Sequence, residues 1–177
     1  MQESLQQHGF LPEGTQLRHW KTADVLSESI LGNAATLQFG APYYHIHRGD
    51  LLRLLVDTAS QQKNITLHLE SNIDRFSQND DGVSVVTNDQ TFTGDLLIGA
   101  DGIHSKIRAS MWGHEKPHFT GNIAWRALVP TQRLEPNMVK PMSTAWLGPH
   151  KHFVHYYVKG GESVSYTHLT LPTKRIV

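Results

Sequence analysis

Cysteine is absent from this 177-residue sequence, and so is any excess of charge of one sign. Without cysteine there can be no disulfide, thiolate nucleophile or cysteine-ligated metal. The 16 Lys and Arg residues balance 16 Asp and Glu residues, so no basic field favours nucleic acid or an anionic membrane surface. A small-molecule partner fits this composition better, and the length allows one domain or two small ones.

Long apolar runs are also lacking. The longest, residues 51–56 and 96–100, fall far short of the roughly 20 residues that a membrane-spanning helix needs. Residues 1–4 lack the charged and apolar regions of a signal peptide. We therefore expect a cytoplasmic protein without a membrane segment.

Short helical and strand patterns alternate along the chain. Gly9 and Pro12 predict the end of an opening helix, and residues 16–39 predict a hairpin followed by a further strand. Helical spacing predicts a helix over 51–62 with Asp50 as its N-cap. Further predicted elements are strands over 65–69, 82–87, 91–93, 96–100, 122–129, 143–147 and 153–158, and a helix over 105–111.

The segment 95–108 carries the most information about function. Its apolar run, 96–100, predicts a strand buried in a parallel sheet, and Gly102 lets the backbone turn tightly and approach a ligand. The helix that follows would present unpaired N–H groups and a positive dipole end, which suit a pyrophosphate. The alternative is a common Asp-Gly turn in which Ser105 only caps the helix.

The whole segment resembles the Asp-Gly fingerprint of the FAD-dependent aromatic-ring monooxygenases, the single-component flavoprotein hydroxylases. The shared pattern is an apolar strand, Gly-x-Asp-Gly, two residues, Ser, two residues and Arg. Residues 47–51, His-Arg-Gly-Asp-Leu, resemble the HRxDL helix start of the same family. Residues 121–130 and 146–162 resemble substrate-domain strands of its salicylate, 3-hydroxybenzoate and 6-hydroxynicotinate hydroxylases.

The resemblance implies a set of cofactor-binding residues. Arg48 maps onto the arginine that contacts FAD, although a solvated arginine before a helix is the alternative. Asp101 and Gly102 map near the FAD pyrophosphate and the path of NADH or NADPH. Ile73 maps onto a position that packs against the cofactor.

The implied fold is α+β, similar to para-hydroxybenzoate hydroxylase, with an α/β FAD-binding domain and a β-sheet substrate domain. The expected division is 1–9 as the end of an FAD-domain helix, 10–45 and 119–162 as substrate-domain segments, and 46–118 as part of the FAD-binding domain.

Two family motifs are missing: the G-x-G-x-x-G turn that cradles the FAD diphosphate, and a later Gly-Asp motif that holds the ribityl chain. We therefore expect a piece truncated at both ends and inactive by itself. Residues 163–177 depart from the family pattern and resemble translated sequencing-adapter sequence, so we expect a non-native tail. A genuine strand with a basic end is the alternative.

Twelve histidines raise the question of a metal site. In a strand over 150–157, His152 and His155 would lie on opposite faces, and the segment has no acidic residue to complete a site. We expect no metal. Most histidines would be surface or hydrogen-bonded residues.

His152 and Tyr156 would share one face, and the resemblance places such a pair over the aromatic substrate. An imidazole that titrates near neutrality can remove the proton of a phenol, and Tyr156 would orient the substrate. His155 and Tyr157 would point to the opposite, structural face.

The resemblance implies a monooxygenase that hydroxylates a phenolic aromatic acid with FAD, NADH or NADPH, and O2, through a flavin hydroperoxide. A ubiquinone-precursor hydroxylase with the same flavin chemistry is one alternative. An inactive fragment that at most binds an aromatic ligand is the other.

Overall fold

A computed structural model describes residues 2–88 and 90–170. They divide into two compact units, namely unit 1 (the described parts of 1–65 and 120–177) and unit 2 (66–119). The helices are α1 (Gln2–His8), α2 (Gly32–Phe39), α3 (Arg48–Ser60) and α4 (Lys106–Trp112). The strands are β1 (Gly14–His19), β2 (Val25–Ile30), β3 (Ile73–Asn79), β4 (Gly82–Thr87), β5 (Thr91–Gly94), β6 (Ile123–Pro130), β7 (Met142–Gly148), β8 (Lys151–Val158) and β9 (Ser163–Thr170).

Unit 1 is built on a six-stranded sheet with the order β2-β1-β7-β8-β9-β6. The β1–β7 pair is parallel and the other pairs are antiparallel. Side chains alternate between the two faces of such a sheet. The buried residues Gln16 and Thr144 are cross-strand neighbours, and Val158 and Val164 are the most buried apolar residues of β8 and β9.

The opening helix and the first hairpin form as predicted. Helix α1 ends at His8, and the N–H of Gly9 donates to the Leu5 carbonyl at 2.8 Å. A Cβ at Gly9 would lie 2.6 Å from that carbonyl oxygen and 2.8 Å from the Tyr44 ring. Close approach therefore requires glycine here. Strands β1 and β2 pair as the expected hairpin.

The further strand predicted before residue 39 is wrong, because this segment forms helix α2. Its C-cap is Gly40, which has a φ of 75° and donates its N–H to the Thr36 carbonyl. A glycine in the left-handed region is a common way for a helix to end. The helix buries Ala35 alone among its residues.

Helix α3 begins earlier than predicted, at Arg48, and ends at Ser60. The prediction that Asp50 is its N-cap is wrong: the N-cap is His47, which makes no side-chain capping bond. Asp50 lies in the first turn, with its carboxylate 3.6 Å from His47 Nδ1 and 3.5 Å from Arg53 Nη2. A carboxylate in this turn stabilises the positive end of the helix dipole.

The predicted strands after residue 120 are present as β6, β7 and β8. Strand β9 pairs with β8 on one side and with β6 on the other. Residues 163–170 of the expected non-native tail therefore form a strand within the sheet, which was the structural alternative. The rest of that tail, 171–177, lies outside the described residues, and the origin of the segment stays a prediction.

Unit 2 consists of the antiparallel meander β3-β4-β5 and helix α4, which packs on β3. The predicted hairpin and the predicted helix over 105–111 are confirmed as β4–β5 and α4. Ile107 of α4 is buried, and it lies against Gly99, where a Cβ would come within 2.9 Å of the isoleucine side chain.

The strands predicted over 65–69 and 96–100 do not form. A strand needs a hydrogen-bonded neighbour, and neither segment has one among the described residues. Leu69, Leu96 and Ile98 are accordingly exposed, at 76%, 79% and 79%. An apolar run alone therefore does not make either segment a strand.

The fold is mixed α+β, as predicted. The compact unit 66–119 falls almost wholly within the predicted FAD-domain portion, 46–118, whereas α3 belongs to unit 1. The division into FAD-binding and substrate domains stays a prediction. None of the helices in the described part of the chain is long and apolar enough to cross a membrane.

Candidate functional site

A cavity of about 540 Å³ lies in unit 1, on one face of the six-stranded sheet at the start of α3. Its volume falls in the range of small-molecule sites, about 300–1,000 Å³. Its walls come from the start of α3 and from the neighbouring strands β6, β9 and β8. The lining residues are Ile46, His47, Arg48, Arg126, Ala127, Leu128, Tyr156, Val158, Ser165 and Thr167.

The cavity lining is electropositive. It contains the guanidinium groups of Arg48 and Arg126 and the imidazole of His47, but no carboxylate. The nearby carboxylate of Asp50 is held between His47 and Arg53. Such a lining attracts anions and can bind a carboxylate or a phosphate through charge-assisted hydrogen bonds.

The register of the sheet explains why Tyr156 faces this cavity. Tyr156 of β8 pairs with Ser165 of β9, which in turn pairs with Leu128 of β6. Directly opposed residues in neighbouring strands project from the same face. Arg126 lies two positions before Leu128 and therefore shares that face. The sequence predicted Arg48 and Tyr156 separately, and the structure brings them into one cavity.

His152 lies on the same face as Tyr156, as the period of two predicted. Its cross-strand neighbours are Leu147 of β7 and Leu169 of β9. The residues that line the cavity include Tyr156 but not His152. The two side chains thus share a surface, with His152 four residues before Tyr156 in the strand. Its role as a base stays a prediction.

His45 is a site residue that the sequence analysis missed. Its side chain is buried, at 9% exposure, and its ring centroid lies 4.7 Å from that of Tyr156. Burial lowers the pKa of His45, against a smaller opposing effect of a hydrogen bond with the backbone of Tyr157. Its Nδ1 is buried without a hydrogen-bond partner in the described part of the chain. The buried His45 ring therefore packs against the Tyr156 ring.

The opposite face of the sheet holds His155 and Tyr157. His155 Nε2 accepts a hydrogen bond from Trp146 Nε1 at 2.9 Å. Burial lowers the pKa of His155, and the Arg18 cation lowers it further. Tyr157 donates its hydroxyl hydrogen to the Val139 carbonyl at 2.9 Å. Both side chains serve packing on this face.

The histidines of β8 and its preceding turn do not assemble a metal site. Among residues 2–88 and 90–170, no three His, Cys, Asp or Glu side chains are grouped closely enough to hold a metal ion. The turn residue His150 is exposed and has a φ of 57°. His152 and His155 lie on opposite faces of the strand.

In unit 2, Asp101 caps helix α4 from five and six residues away. Its Oδ2 accepts from the N–H groups of Lys106 at 2.8 Å and Ile107 at 3.3 Å. Ser105 donates its hydroxyl to Asp101 Oδ1 at 2.6 Å and accepts from the N–H of Arg108 at 2.9 Å. The hydrogen bond from the Ser105 hydroxyl leads the effects that lower the pKa of Asp101.

This capping changes the expected chemistry of the Asp-Gly segment. The first N–H groups of α4 are bonded to protein oxygens, so they are not open to a pyrophosphate, and the turn-and-cap alternative describes the local geometry. Gly102 has a φ of 77° and open space beside its Cα. The backbone can therefore be approached there, and an L side chain would be strained.

Lys106 links a third predicted cofactor residue, Ile73, to this segment. Its Nζ donates to the carbonyl of Ile73 at 2.8 Å, while its backbone N–H donates to Asp101. Ile73 begins β3 and is half-buried. The structure thus links Ile73 to the Asp-Gly segment within unit 2, and the cofactor roles of Ile73, Asp101 and Gly102 stay predictions.

Comparison with known proteins gives a family match and a set of relatives. Residues 2–163 match the FAD binding domain family. The chain is 30% identical over 179 residues to 6-hydroxynicotinate 3-monooxygenase of Pseudomonas fluorescens, covering 99% of this chain and 45% of that protein. It is 32% identical over 168 residues to 3-amino-4-hydroxybenzoate 2-monooxygenase of Streptomyces cremeus, covering 94% and 42%.

Solved structures show the same fold. Klebsiella pneumoniae HpxO complexed with FAD and uric acid superposes with a TM-score of 0.79 at 21% identity, covering 99% of this chain and 44% of that chain. A salicylate hydroxylase substrate complex superposes with a TM-score of 0.70 at 23% identity, covering 99% and 47%. The chain spans less than half the length of the relatives and structures that it matches here.

Proposed function

This chain belongs to the FAD binding domain family, and on that basis we propose that it is part of an FAD-dependent monooxygenase that hydroxylates a phenolic aromatic acid. The observation that carries the proposal is the electropositive cavity that Tyr156 and two arginines line together. A hydroxylated aromatic acid presents a ring, a phenol and a carboxylate. The cavity offers a tyrosine, apolar walls and cations to match these groups.

We propose that some residues of this chain form part of the FAD site, because they fit an anionic cofactor. Arg48 fits, because it is an exposed cation at the N-terminal end of α3 and the cavity lining has no carboxylate to compete for it. The open space beside Gly102 fits close approach of a ligand to the backbone. Asp101 would act by holding the turn rather than by contacting phosphate, because its carboxylate caps α4. When bound, FAD supplies the oxygen chemistry, with NADH or NADPH as reductant and O2 as co-substrate.

The residues of the chain would supply position and acid-base assistance. We propose that Tyr156 orients the ring and that His152, on the same face, removes the phenol proton. The shared face and the match to monooxygenases of hydroxylated aromatic acids support this assignment. A cytoplasmic location is part of the proposal, in keeping with the cysteine-free sequence.

The test is the change His152→Ala in the flavin-loaded enzyme that contains this chain. We expect hydroxylation of 3-hydroxybenzoate or 6-hydroxynicotinate to slow by about a hundred- to ten-thousandfold, the usual range for general-base assistance. NAD(P)H oxidation should change much less, so hydrogen peroxide should replace product. Stopped-flow rates and peroxide yield across pH measure both quantities.

The control is His150→Asn, which changes the exposed turn histidine and keeps a residue type that tolerates positive φ. It should leave unchanged the coupling, that is, the fraction of NAD(P)H oxidation that yields hydroxylated product. Raising the pH toward the pKa of the phenol should partly rescue His152→Ala. If His152→Ala kept the coupling and the hydroxylation rate of the unmodified enzyme, His152 would be a packing residue. Absence of hydroxylation of any aromatic acid by the unmodified, flavin-loaded enzyme would overturn the proposed function.

A further inference from the structure

Arg126 is the cavity residue to which neither the sequence motifs nor the family resemblance gives a role. We infer that Arg126 determines specificity by binding the carboxylate of the aromatic substrate, while Arg48 serves the cofactor. This inference rests on the proposed function for the identity of the ligand. It adds the residue that selects an acid over a neutral ring of the same shape.

The sheet holds Arg126 and Tyr156 at a separation that suits the two ends of one aromatic acid. Their strands, β6 and β8, are separated by β9 alone, and Arg126 lies two positions from the residue level with Tyr156. Two strand spacings of about 4.8 Å and an offset of about 6.8 Å place the two Cα atoms about 12 Å apart. Both side chains line the same cavity, so a single ring can lie between them.

The charge of Arg126 is available for a ligand. Within residues 2–88 and 90–170, the ion pairs involve Asp50 and Glu115, and neither Arg126 nor Arg48 takes part. The side chain of Arg126 is exposed. Its planar guanidinium can bind a carboxylate through two parallel hydrogen bonds, a geometry that lysine cannot reproduce.

The two arginines differ in what positions them. Arg126 lies on a strand of the sheet that carries Tyr156, so its distance from the ring-binding tyrosine is fixed by backbone pairing. Arg48 lies at the start of α3, outside the sheet, and the proposed function already assigns it to FAD. An anchor for a small rigid substrate needs a fixed distance to the group that binds the other end.

The experiment compares an acid with its neutral amide in the absence of flavin. Chemical-shift titration of this chain gives the dissociation constants of 3-hydroxybenzoate and 3-hydroxybenzamide. We expect the acid to bind at least tenfold more tightly than the amide. Arg126→Met should raise the dissociation constant of the acid by about ten- to a hundredfold, the range for a lost charge-assisted contact. The dissociation constant of the amide should change by no more than about twofold.

Two further variants make the result specific. Arg126→Lys keeps the charge without the planar fork and should retain only part of the acid preference. Arg133→Met removes a cation from the 3₁₀ turn Thr131–Arg133, outside the cavity lining, and should keep the full preference. Circular dichroism checks that each variant is folded. If Arg126→Met does not fold, the acid preference of Arg126→Lys is the test of the inference.

Three results would overturn the inference: equal binding of acid and amide by the unmodified chain, an unchanged acid preference without Arg126, or equal weakening of both ligands. Because these titrations contain no flavin, they are independent of the hydroxylation assay. An inactive enzyme whose acid preference depends on Arg126 would refute the proposed function alone. An active enzyme whose preference survives Arg126→Met would refute this inference alone.

Discussion

At the scale of single residues, the buried imidazoles of His45 and His155 link stability to pH. Burial lowers the pKa of both groups below the ordinary value of 6.5. The folded state therefore binds protons more weakly than the unfolded state does. The free energy of unfolding should be at its full value above pH 6.5 and should fall as the pH drops below it.

We expect His45→Phe to reduce this loss, because an uncharged ring of similar size removes one of the two buried titrating groups. Denaturant unfolding of the chain at pH 7.5 and pH 5.5 measures the difference, and the gap between the two pH values should be smaller in the variant. The exposed His150 provides a control, since His150→Asn should keep the gap of the unmodified chain. An unchanged gap in His45→Phe would show that charging His45 costs the folded state nothing.

Residue-scale prediction from the sequence succeeded where local periodicity carried the information. A period of two places His152 and Tyr156 on one face because alternation is a property of the strand itself. The ring contact of Tyr156 with His45 depends instead on the path of the chain near residue 45, and the place of Tyr156 in one cavity with Arg126 depends on pairing among β6, β8 and β9. No spacing within one segment encodes these arrangements.

At the scale of elements, β9 has neighbours on both sides and should contribute to the stability of the sheet. Val164 is 4% exposed. We expect Val164→Ala to lower the free energy of unfolding by about 1–3 kcal/mol through lost apolar burial and a residual cavity. Val25→Ala is the matched control on edge strand β2, where Val25 is 47% exposed and the change should cost no more than about 0.5 kcal/mol.

Urea denaturation of the two variants makes the comparison. A Val164→Ala chain as stable as the Val25→Ala chain would mean that residues 163–170 do not pack in the sheet, which is what the expectation of a non-native tail would favour. A clear difference would establish the strand in solution.

The elements that the sequence predicted correctly include those whose partners are adjacent in the sequence. The hairpins β1–β2 and β4–β5 pair with their own neighbours, and a polar turn with alternating flanks predicts such pairs. The runs over 65–69 and 96–100 have the composition of strands but no partner among the described residues, so they stay irregular. Helix α2 was missed because its apolar residues are spread around the helix and do not form one apolar face, although Gly40 at its end is a signal for helix termination.

At the scale of the whole molecule, the two units share no strand. All six strands of the large sheet come from residues 14–30 and 123–170, and the meander comes from residues 73–94. Unit 2 is also the smaller unit. Ile107 is the buried apolar side chain among its described residues, whereas Ala35, Met142, Val158 and Val164 are buried in unit 1. A small unit buries too little apolar surface to be strongly stable.

We therefore expect the units to open separately, with unit 2 opening at the lower free energy. Native-state hydrogen exchange should show that amides of β3, β4 and β5 exchange through a subglobal opening about 1–3 kcal/mol below that of β7, β8 and β9, as for a separate cooperative unit. Ile107→Ala should lower protection in the meander and leave the large sheet unchanged. Val164→Ala should do the reverse, because it removes burial from the other core. If either substitution lowered protection equally in both sheets, the chain would unfold as one cooperative body, and the division into two units would have no energetic meaning.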